Sequence, residues 1–137
     1  MVTVEGGCLC GAIRIKSTGD VVAKALCHCL DCRKITGSLF STNIIVPEES
    51  FSVTKGTPKE FAKTADSGKT MTSYFCGDCG STLWRASETY RGSKIIKAGT
   101  LDGDALEDTA KPAVELFVKN RIPWLPAFEG TQLNKTA

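Results

Sequence analysis

The seven cysteines of this sequence fall into three tight groups, and their spacing is typical of metal ligands. The groups are a C-x-C at positions 8–10, a C-x-C-x-x-C at 27–32 and a C-x-x-C at 76–79. Zinc binds thiolate sulfurs at about 2.3 Å, and a C-x-x-C turn delivers two sulfurs to one ion. Gly77 and Gly80 in the last group offer the positive φ angles that such a turn needs. The pattern therefore predicts zinc binding.

The number of cysteines indicates two different sites. A closed structural zinc site takes four protein ligands, whereas a catalytic site takes three and leaves a position for water or substrate. If residues 8–10 are extended, both of their sulfurs lie on one face of a strand and can close on the 76–79 turn. The predicted catalytic ligands are Cys27, Cys29 and Cys32, and the predicted structural ligands are Cys8, Cys10, Cys76 and Cys79. Spacing alone leaves open the reverse assignment, in which the 76–79 turn completes the 27–32 group.

Simple burial, redox chemistry and disulfide bonding each fit the cysteine pattern less well than zinc binding does. Free buried cysteines would be dispersed among apolar residues rather than clustered. A thioredoxin-like dithiol needs one C-x-x-C at a helix N-terminus in a βαβ unit. Disulfides would need an oxidising compartment and an even number of partners. His28 stands between Cys27 and Cys29, but on an extended segment its side chain points away from both.

Short strands and one short helix must position these groups. A helical turn or two is predicted from Cys29 to Ile35, ending before Gly37. The sequence shows no longer helical pattern, so we expect a mostly β fold with few or short helices. Residues 130–137 are polar and lack periodicity, and we expect them to fray. Period-two or β-branched runs predict strands at 12–16, 39–46, 71–75, 94–98 and 113–119.

Length and composition predict a single domain over residues 1–137. Hydrophobic residues make up 42% of the chain, and the formal net charge of +2 is too small to indicate a nucleic-acid partner. Residues 1–7 lack the basic and apolar regions of a signal peptide, and no run approaches the roughly 18 apolar residues of a membrane span. We therefore expect a cytoplasmic protein without membrane or nucleic-acid partners, and the sequence indicates no oligomeric state.

Four segments carry a resemblance to a known family. In this order and spacing they resemble the glutathione-dependent formaldehyde-activating enzymes, whose relatives include centromere protein V. The match spans residues 5 to about 100, and FVKNRIPWLPAFEG at 117–130 is similar to fungal members in particular. The four segments are GGCLCGAIRI at 6–15, CHCLDCRKITGSLF at 27–40, FSVTKGTPKEF at 51–61 and SYFCGDCGSTLW at 73–84.

The resemblance implies a single-domain, zinc-binding β-tent, a mostly β fold of short antiparallel sheets built around a structural zinc. It implies the same division of the seven cysteines into four structural and three catalytic ligands, with two zinc ions per chain. The implied substrates are a small thiol, glutathione, and a small carbonyl, formaldehyde. Their product would be S-(hydroxymethyl)glutathione, which makes the protein formally a carbon–sulfur lyase.

The chemistry of an open three-thiolate zinc is compatible with this reaction, because a substrate thiol can lose its proton there and attack a carbonyl. Glutathione carries two carboxylates, and Arg33 and Lys34 are the predicted contacts for them because they directly follow Cys32. A solvated pair on a short helix is equally compatible with their position, and Arg85 beside Trp84 is a weaker candidate. Two alternative functions stay open: a fungal biosynthetic lyase or dehydratase acting on another substrate, and a non-catalytic zinc module that binds a partner.

Overall fold

The computed structural model of the chain describes residues 2–65 and 67–136. The strands in this part of the chain are β1 Thr3–Gly7, β2 Arg14–Thr18, β3 Ala23–Cys27, β4 Ser41–Pro47, β5 Phe51–Lys55, β6 Lys59–Thr64, β7 Thr70–Phe75, β8 Thr82–Ser87, β9 Ser93–Lys97, β10 Val114–Leu116 and β11 Gln132–Leu133. The helices are α1 Leu30–Thr36 and α2 Asp104–Thr109, with short 3-10 helices at Glu48–Ser50, Ala98–Thr100 and Val118–Asn120. The prediction of a mostly β protein with short helices is confirmed.

The strands form two sheets. The smaller sheet is antiparallel with the order β1-β2-β5, and the larger sheet has the order β11-β10-β3-β4-β9-β8-β7-β6. Most neighbours in the larger sheet are antiparallel, but β10 pairs in parallel with both β3 and β11. Parallel neighbours need a crossover of about a dozen residues or more, which residues 117–131 supply between β10 and β11. The smaller sheet is therefore antiparallel, as expected, and the larger sheet is antiparallel except for two parallel strand pairs at one edge.

One face of the larger sheet shares an apolar core with the smaller sheet. Ile44, Ile96 and Trp84 are cross-strand neighbours on β4, β9 and β8. They are buried in one cluster with Val4 of β1 and Ile15 of β2. Because side chains alternate along a strand, the residues next to them in sequence face the opposite side of the sheet.

Helix α1 begins and ends where the sequence predicts. The Sγ atom of Cys29 accepts a hydrogen bond from the backbone N of Cys32 at 3.3 Å and caps the N-terminus. Gly37 ends the helix in the left-handed region with φ 66°. Within the described part of the chain, no helix has the length and apolar character needed to cross a membrane.

The structure differs from two local expectations. Residues 8–10 are not extended, because the backbone N of Gly11 donates to the carbonyl O of Cys8 at 3.1 Å and closes a tight turn between β1 and β2. The strand predicted at 113–119 covers only β10, because Phe117 has a φ of 55° and ends the extended run. A hairpin turn, rather than one face of a strand, therefore brings the first two cysteines together.

The C-terminal residues do not fray as expected. Gln132–Leu133 pairs with β10, and the backbone N of Asn134 donates to the carbonyl O of Glu115 at 2.9 Å. A strand of two residues has no periodicity, so the sequence offers no pattern from which to predict it. The last residue, Ala137, lies outside the described residues.

We predict that Gly6→Ala destabilises the fold, because β1 approaches the chain after β9 closely at this point. Gly6 forms a bridge with Leu101, and a Cβ atom on Gly6 would lie 2.2 Å from the carbonyl O of Thr100. Overpacking of this kind costs about 1 to 3 kcal/mol of unfolding free energy, measurable by urea denaturation at fixed zinc concentration. The control Gly99→Ala meets no atom within 4 Å and should be nearly neutral. Equal losses in both variants would contradict the prediction.

Candidate functional site

Two turns from different sheets meet at the four-cysteine cluster, which comprises Cys8, Cys10, Cys76 and Cys79. The first pair lies in the β1–β2 turn and the second in the β7–β8 turn. All four sulfurs lie within 4.8 Å of one another, and Sγ of Cys10 is 3.6 Å from that of Cys8 and 3.7 Å from that of Cys76. Ligands about 2.3 Å from a tetrahedral zinc ion are separated by about 3.8 Å, so this cluster fits zinc. The 76–79 turn therefore joins residues 8–10 and not the 27–32 group.

Hydrogen-bond donors face Cys8 and Cys79 in this cluster and favour thiolates at these two positions. The backbone N of Ile13 donates to Sγ of Cys8 at 3.2 Å. Hydrogen bonds from the side chain and backbone of Ser81 lower the pKa of Cys79 to about 5. Both contacts support the deprotonated form that a metal ligand must take.

The two glycines of the 76–79 turn have different roles. Gly80 has a φ of 79°, as predicted, and its backbone N donates to the carbonyl O of Cys76 at 2.9 Å. Gly77 does not have the predicted positive φ. Its lack of a side chain instead leaves room for Lys59, whose Cε would lie 2.8 Å from a Cβ at this position.

The three-cysteine cluster, Cys27, Cys29 and Cys32, lies where β3 leads into α1. Cys27 ends the strand, Cys29 caps the helix and Cys32 lies in its first turn. The three sulfurs lie within 4.8 Å of one another, and none is in a disulfide. Three thiols at this separation fit a zinc ion that keeps a fourth position for another ligand.

Neighbouring groups shift the pKa values of the three-cysteine cluster in different directions. Hydrogen bonds with Cys27 and Cys29 lower the pKa of Cys32 to about 2, and the charge of Lys97 acts in the same direction. Hydrogen bonds with Cys29 and Cys32, together with burial, raise the pKa of Cys27. Cys32 is therefore the thiol of this cluster whose deprotonated form its surroundings favour.

The three-cysteine cluster opens into a cavity of about 460 Å³, a size typical of small-molecule sites. The face of the larger sheet opposite the core forms its wall. Ala25, Asn43 and Lys97 form one cross-strand row of this wall. Ile45 and Ile95 form the next. The four-cysteine cluster is not among the described residues that line this cavity.

The cavity wall is rich in positive charge. Arg85 is only 4% exposed, and its Nε donates to Oγ of Ser73 at 2.9 Å. Asp31 is the one carboxylate among the described lining residues, and it accepts from Nζ of Lys63 at 2.7 Å. This imbalance favours an anionic ligand. The cationic residues of the wall are Lys63, Lys69, Arg85, Lys97 and Lys119.

Lys97 is a buried cation, 7% exposed, beside the three-cysteine cluster. Its Nζ donates to Oδ1 of Asn43 at 2.7 Å and lies 3.5 Å from Oγ of Ser41. In the described part of the chain it forms no ion pair with a carboxylate. Burial lowers the pKa of Lys97, and the charge on Cys32 opposes this shift. A buried cation needs a compensating charge, which the thiolates or an anionic ligand can supply.

Two predicted residues lie on α1 away from the cavity. Arg33 and Lys34 follow Cys32 in the helix, where each residue turns by about 100°, and neither is among the described lining residues. Lys34 is exposed. His28 is 1% exposed and lies outside the three-cysteine cluster, as the extended C-H-C segment predicts.

Sequence reasoning did not identify Lys97 or Asn43 as site residues, and it ranked Arg85 as a weak candidate. One signal was present, because Lys97 shares the period-two face of Ile95 in a strand that is otherwise apolar at its centre. Asn43 is a buried polar residue directly before the apolar run of β4, and it lies directly opposite Lys97. Polar residues inside buried strands were therefore the available clue.

These features define a class: a small, mostly β domain with a closed set of four thiols and an open set of three at a cationic cavity. The chain belongs to the glutathione-dependent formaldehyde-activating enzyme family, whose sequence pattern matches residues 3–120. The resemblance found in the sequence is thereby confirmed.

Curated relatives from three fungi are similar to this chain. A "Putative glutathione-dependent formaldehyde-activating enzyme" of Penicillium rubens is 35% identical over 65% of this chain and 48% of its own length. A protein of the same description from Emericella nidulans is 28% identical over 73% of this chain and 51% of its own. An "Uncharacterized lyase" of Schizosaccharomyces pombe is 29% identical over 75% of this chain and 72% of its own. The chain thus spans about half the length of the first two.

A crystal structure of a Rhodobacter sphaeroides protein has a similar fold. It matches with a TM-score of 0.62 at 17% identity, covering 79% of this chain and 96% of that protein. At this identity the likeness shows the fold alone.

We expect the protein, purified without chelator, to hold two zinc ions per chain, because each cluster fits one ion. Elemental analysis measures this number. The ion at the three-cysteine cluster should leave first when a chelator is added, since it has one protein ligand fewer. A content of one ion or none in the purified protein would contradict the division of the cysteines into two sites.

Proposed function

We propose that this protein adds glutathione to formaldehyde, and cleaves the same carbon–sulfur bond in reverse, at the three-cysteine cluster. The observation that carries this proposal is that the three-cysteine cluster opens into the cationic cavity. Three thiolates with room for another ligand are typical of a catalytic zinc site. Membership of the family and the names of two relatives support the choice of substrates.

The two clusters would have different roles in this proposal. The four-cysteine cluster would hold a structural zinc, because it satisfies the ion with protein ligands alone and joins the two sheets. The three-cysteine cluster would hold the catalytic zinc. That ion would supply a position for a soft ligand and lower the pKa of a thiol there.

The proposed step is the addition of a thiol to a carbonyl group. The sulfur of glutathione forms a bond to the formaldehyde carbon, while the π pair of the C=O bond moves to oxygen. The thiol proton leaves to solvent, and a solvent proton completes the hydroxymethyl group. The ammonium group of Lys97 stabilises the charge that develops on oxygen, because it is fixed by Asn43 in a site largely shielded from water.

The charge of the cavity supports glutathione as the thiol. Its two carboxylates require cations, and Lys69 and Lys119 line the cavity at the β6–β7 turn and the Val118–Asn120 helix. We assign the carboxylates to these two lysines. Arg33 and Lys34, which the sequence predicts as contacts for these carboxylates, are not among the described lining residues of the cavity.

A reducing compartment suits both the zinc-binding thiols and glutathione, so we place the reaction in the cytoplasm. A second candidate is cleavage of another thiol adduct at the same cluster. The name of the Schizosaccharomyces pombe relative, a lyase without a stated substrate, supports this alternative. The same cavity and the same cysteines would serve either reaction.

We predict that Cys32→Ser stays folded, binds one zinc ion fewer and no longer accelerates adduct formation. The three ligands are close in sequence, so losing one opens no long loop. Because hemithioacetals also form without a catalyst, the measurement is NMR exchange between glutathione and its hydroxymethyl adduct, corrected for the uncatalysed rate. If Cys32→Ser accelerates adduct formation as much as the wild-type protein does, the proposed site is refuted.

The matched variant Cys79→Ser should be insoluble or unfolded. A structural zinc contributes on the order of 10 to 16 kcal/mol in the folded state, about as much as or more than the roughly 5 to 15 kcal/mol net stability of a domain. Solubility and circular dichroism measure the outcome. If Cys79→Ser is soluble and active while Cys32→Ser unfolds, the two roles are reversed.

We predict that Lys97→Met lowers kcat/KM about 100-fold, since it removes a fixed charge beside the developing oxyanion. Methionine keeps an unbranched side chain as far as the ε position and removes only the charged end, so zinc content and fold should be retained. The control is Lys94→Met on the same strand, which removes an ion pair with Glu48 at 3.2 Å outside the cavity. An equal fall in kcat/KM in both variants would exclude a specific role for Lys97.

A further inference from the structure

A buried carboxylate that the proposed reaction does not use lies beside the three-cysteine cluster. Glu115 of β10 is 0% exposed, and its Oε1 lies 2.8 Å from Nε2 of His28 and 3.4 Å from a guanidinium nitrogen of Arg121. Its Oε2 accepts from the backbone N of Phe128 at 2.9 Å and from Oγ1 of Thr131 at 2.7 Å. Burial opposes ionisation, but these donors outweigh it and lower the pKa of Glu115. Each oxygen of the carboxylate is therefore paired.

His28 is held at both its side chain and its backbone. Because an ionised carboxylate only accepts, Nε2 of His28 donates to Glu115. The backbone N of His28 donates to the carbonyl O of Leu116 at 3.0 Å. Cys27 and Cys29 are its direct neighbours in the chain, so the anchor on His28 restrains the backbone from which two of the three sulfurs project.

The C-terminal segment, residues 121–136, encloses the same histidine. The ring of Phe128 meets that of Phe40 edge-on with centroids 5.5 Å apart, and Phe40 in turn meets the ring of His28 at 6.0 Å. Phe128 also donates its backbone N to Glu115. The C-terminal segment is thus connected to His28 in two ways, through the ring of Phe40 and through the carboxylate of Glu115.

We propose that Glu115 is a positioning residue for the three-cysteine cluster. Through His28 it holds the backbone that carries Cys27 and Cys29, and through Phe128 it makes the C-terminal segment part of that support. The inference rests on the proposed zinc site at this cluster. Its consequence is that metal affinity depends on a side chain that touches neither the metal ligands nor the cavity. Groups that hydrogen-bond directly to metal ligands affect metal affinity strongly, and Glu115 would act one step further away, through the backbone of His28.

A network that only stabilises the fold would behave differently. Buried ion pairs are weak evidence for stability, and their loss would weaken both clusters through the folding equilibrium. A positioning role instead confines the effect to the cluster whose backbone Glu115 supports. The four-cysteine cluster in the same molecule is therefore an internal reference.

The test measures the release of zinc from the full chain to a chelator, which we expect to occur in two phases, one for each cluster. The phase that is missing in Cys32→Ser is assigned to the three-cysteine cluster. For Glu115→Gln we expect affinity at this cluster to fall about 10-fold or more, with the four-cysteine cluster unchanged within about twofold. The control Glu129→Gln removes the same charge from an exposed position of the C-terminal segment and should change neither. His28→Ala should match Glu115→Gln, and His28→Gln should recover affinity because its amide can still donate to Glu115.

Equal weakening of both clusters, or unchanged affinity in both Glu115→Gln and His28→Ala, would overturn the inference. If Glu115→Gln does not fold, Thr131→Val carries the test, since it removes one donor from Oε2 and should weaken only the three-cysteine cluster. A wild-type protein without the second release phase would overturn the proposed zinc site together with this inference. A wild-type phase that the variants leave unchanged would overturn this inference alone.

Discussion

The rest of the structure depends on the meeting of two distant turns at the four-cysteine cluster. Cys10 and Cys76 are 66 positions apart, yet their sulfurs lie within 3.7 Å. Closing a loop of this length costs conformational entropy, which core burial offsets and the proposed zinc ion would offset further. Cys8 and Cys76 belong to the same buried cluster as the core residues of both sheets. The cluster therefore fixes the smaller sheet on one face of the larger sheet and leaves the other face free to form the cavity.

The two faces of the larger sheet are linked by its register. Ile44 and Ile96 are paired in the core, while their sequence neighbours Asn43 and Lys97 are paired in the cavity wall. A slip of one residue would exchange the two faces, placing a lysine in the apolar core. Packing of the core and placement of the cation beside the three-cysteine cluster are thus consequences of one strand pairing. The parallel pairing of β10 with β3 brings Glu115 to His28.

The parts of the site that are local in the chain could be predicted from spacing. The three sulfurs between positions 27 and 32 meet because a strand end and a capped helical turn connect them, and Gly37 marks the end of that turn. Strands predicted at 71–75 and 94–98 agree with β7 and β9 to within one residue at each end. Spacing alone does not show whether residues 8–10 form a strand or a turn, because a C-x-C pair can be brought together by either geometry.

The sequence by itself determined which cysteines could act as ligands, the mostly β class and the family, because these are properties of residue type and of short spacings. Only the tertiary structure decided that Lys97 and Arg85, rather than Arg33 and Lys34, face the cavity. It also decided that Glu115 pairs with His28, the residue between Cys27 and Cys29. These side chains come from strands that are far apart in sequence, and their proximity results from strand order and register. Strand pairing cannot be predicted from the residues of one strand alone, since each strand is compatible with many partners.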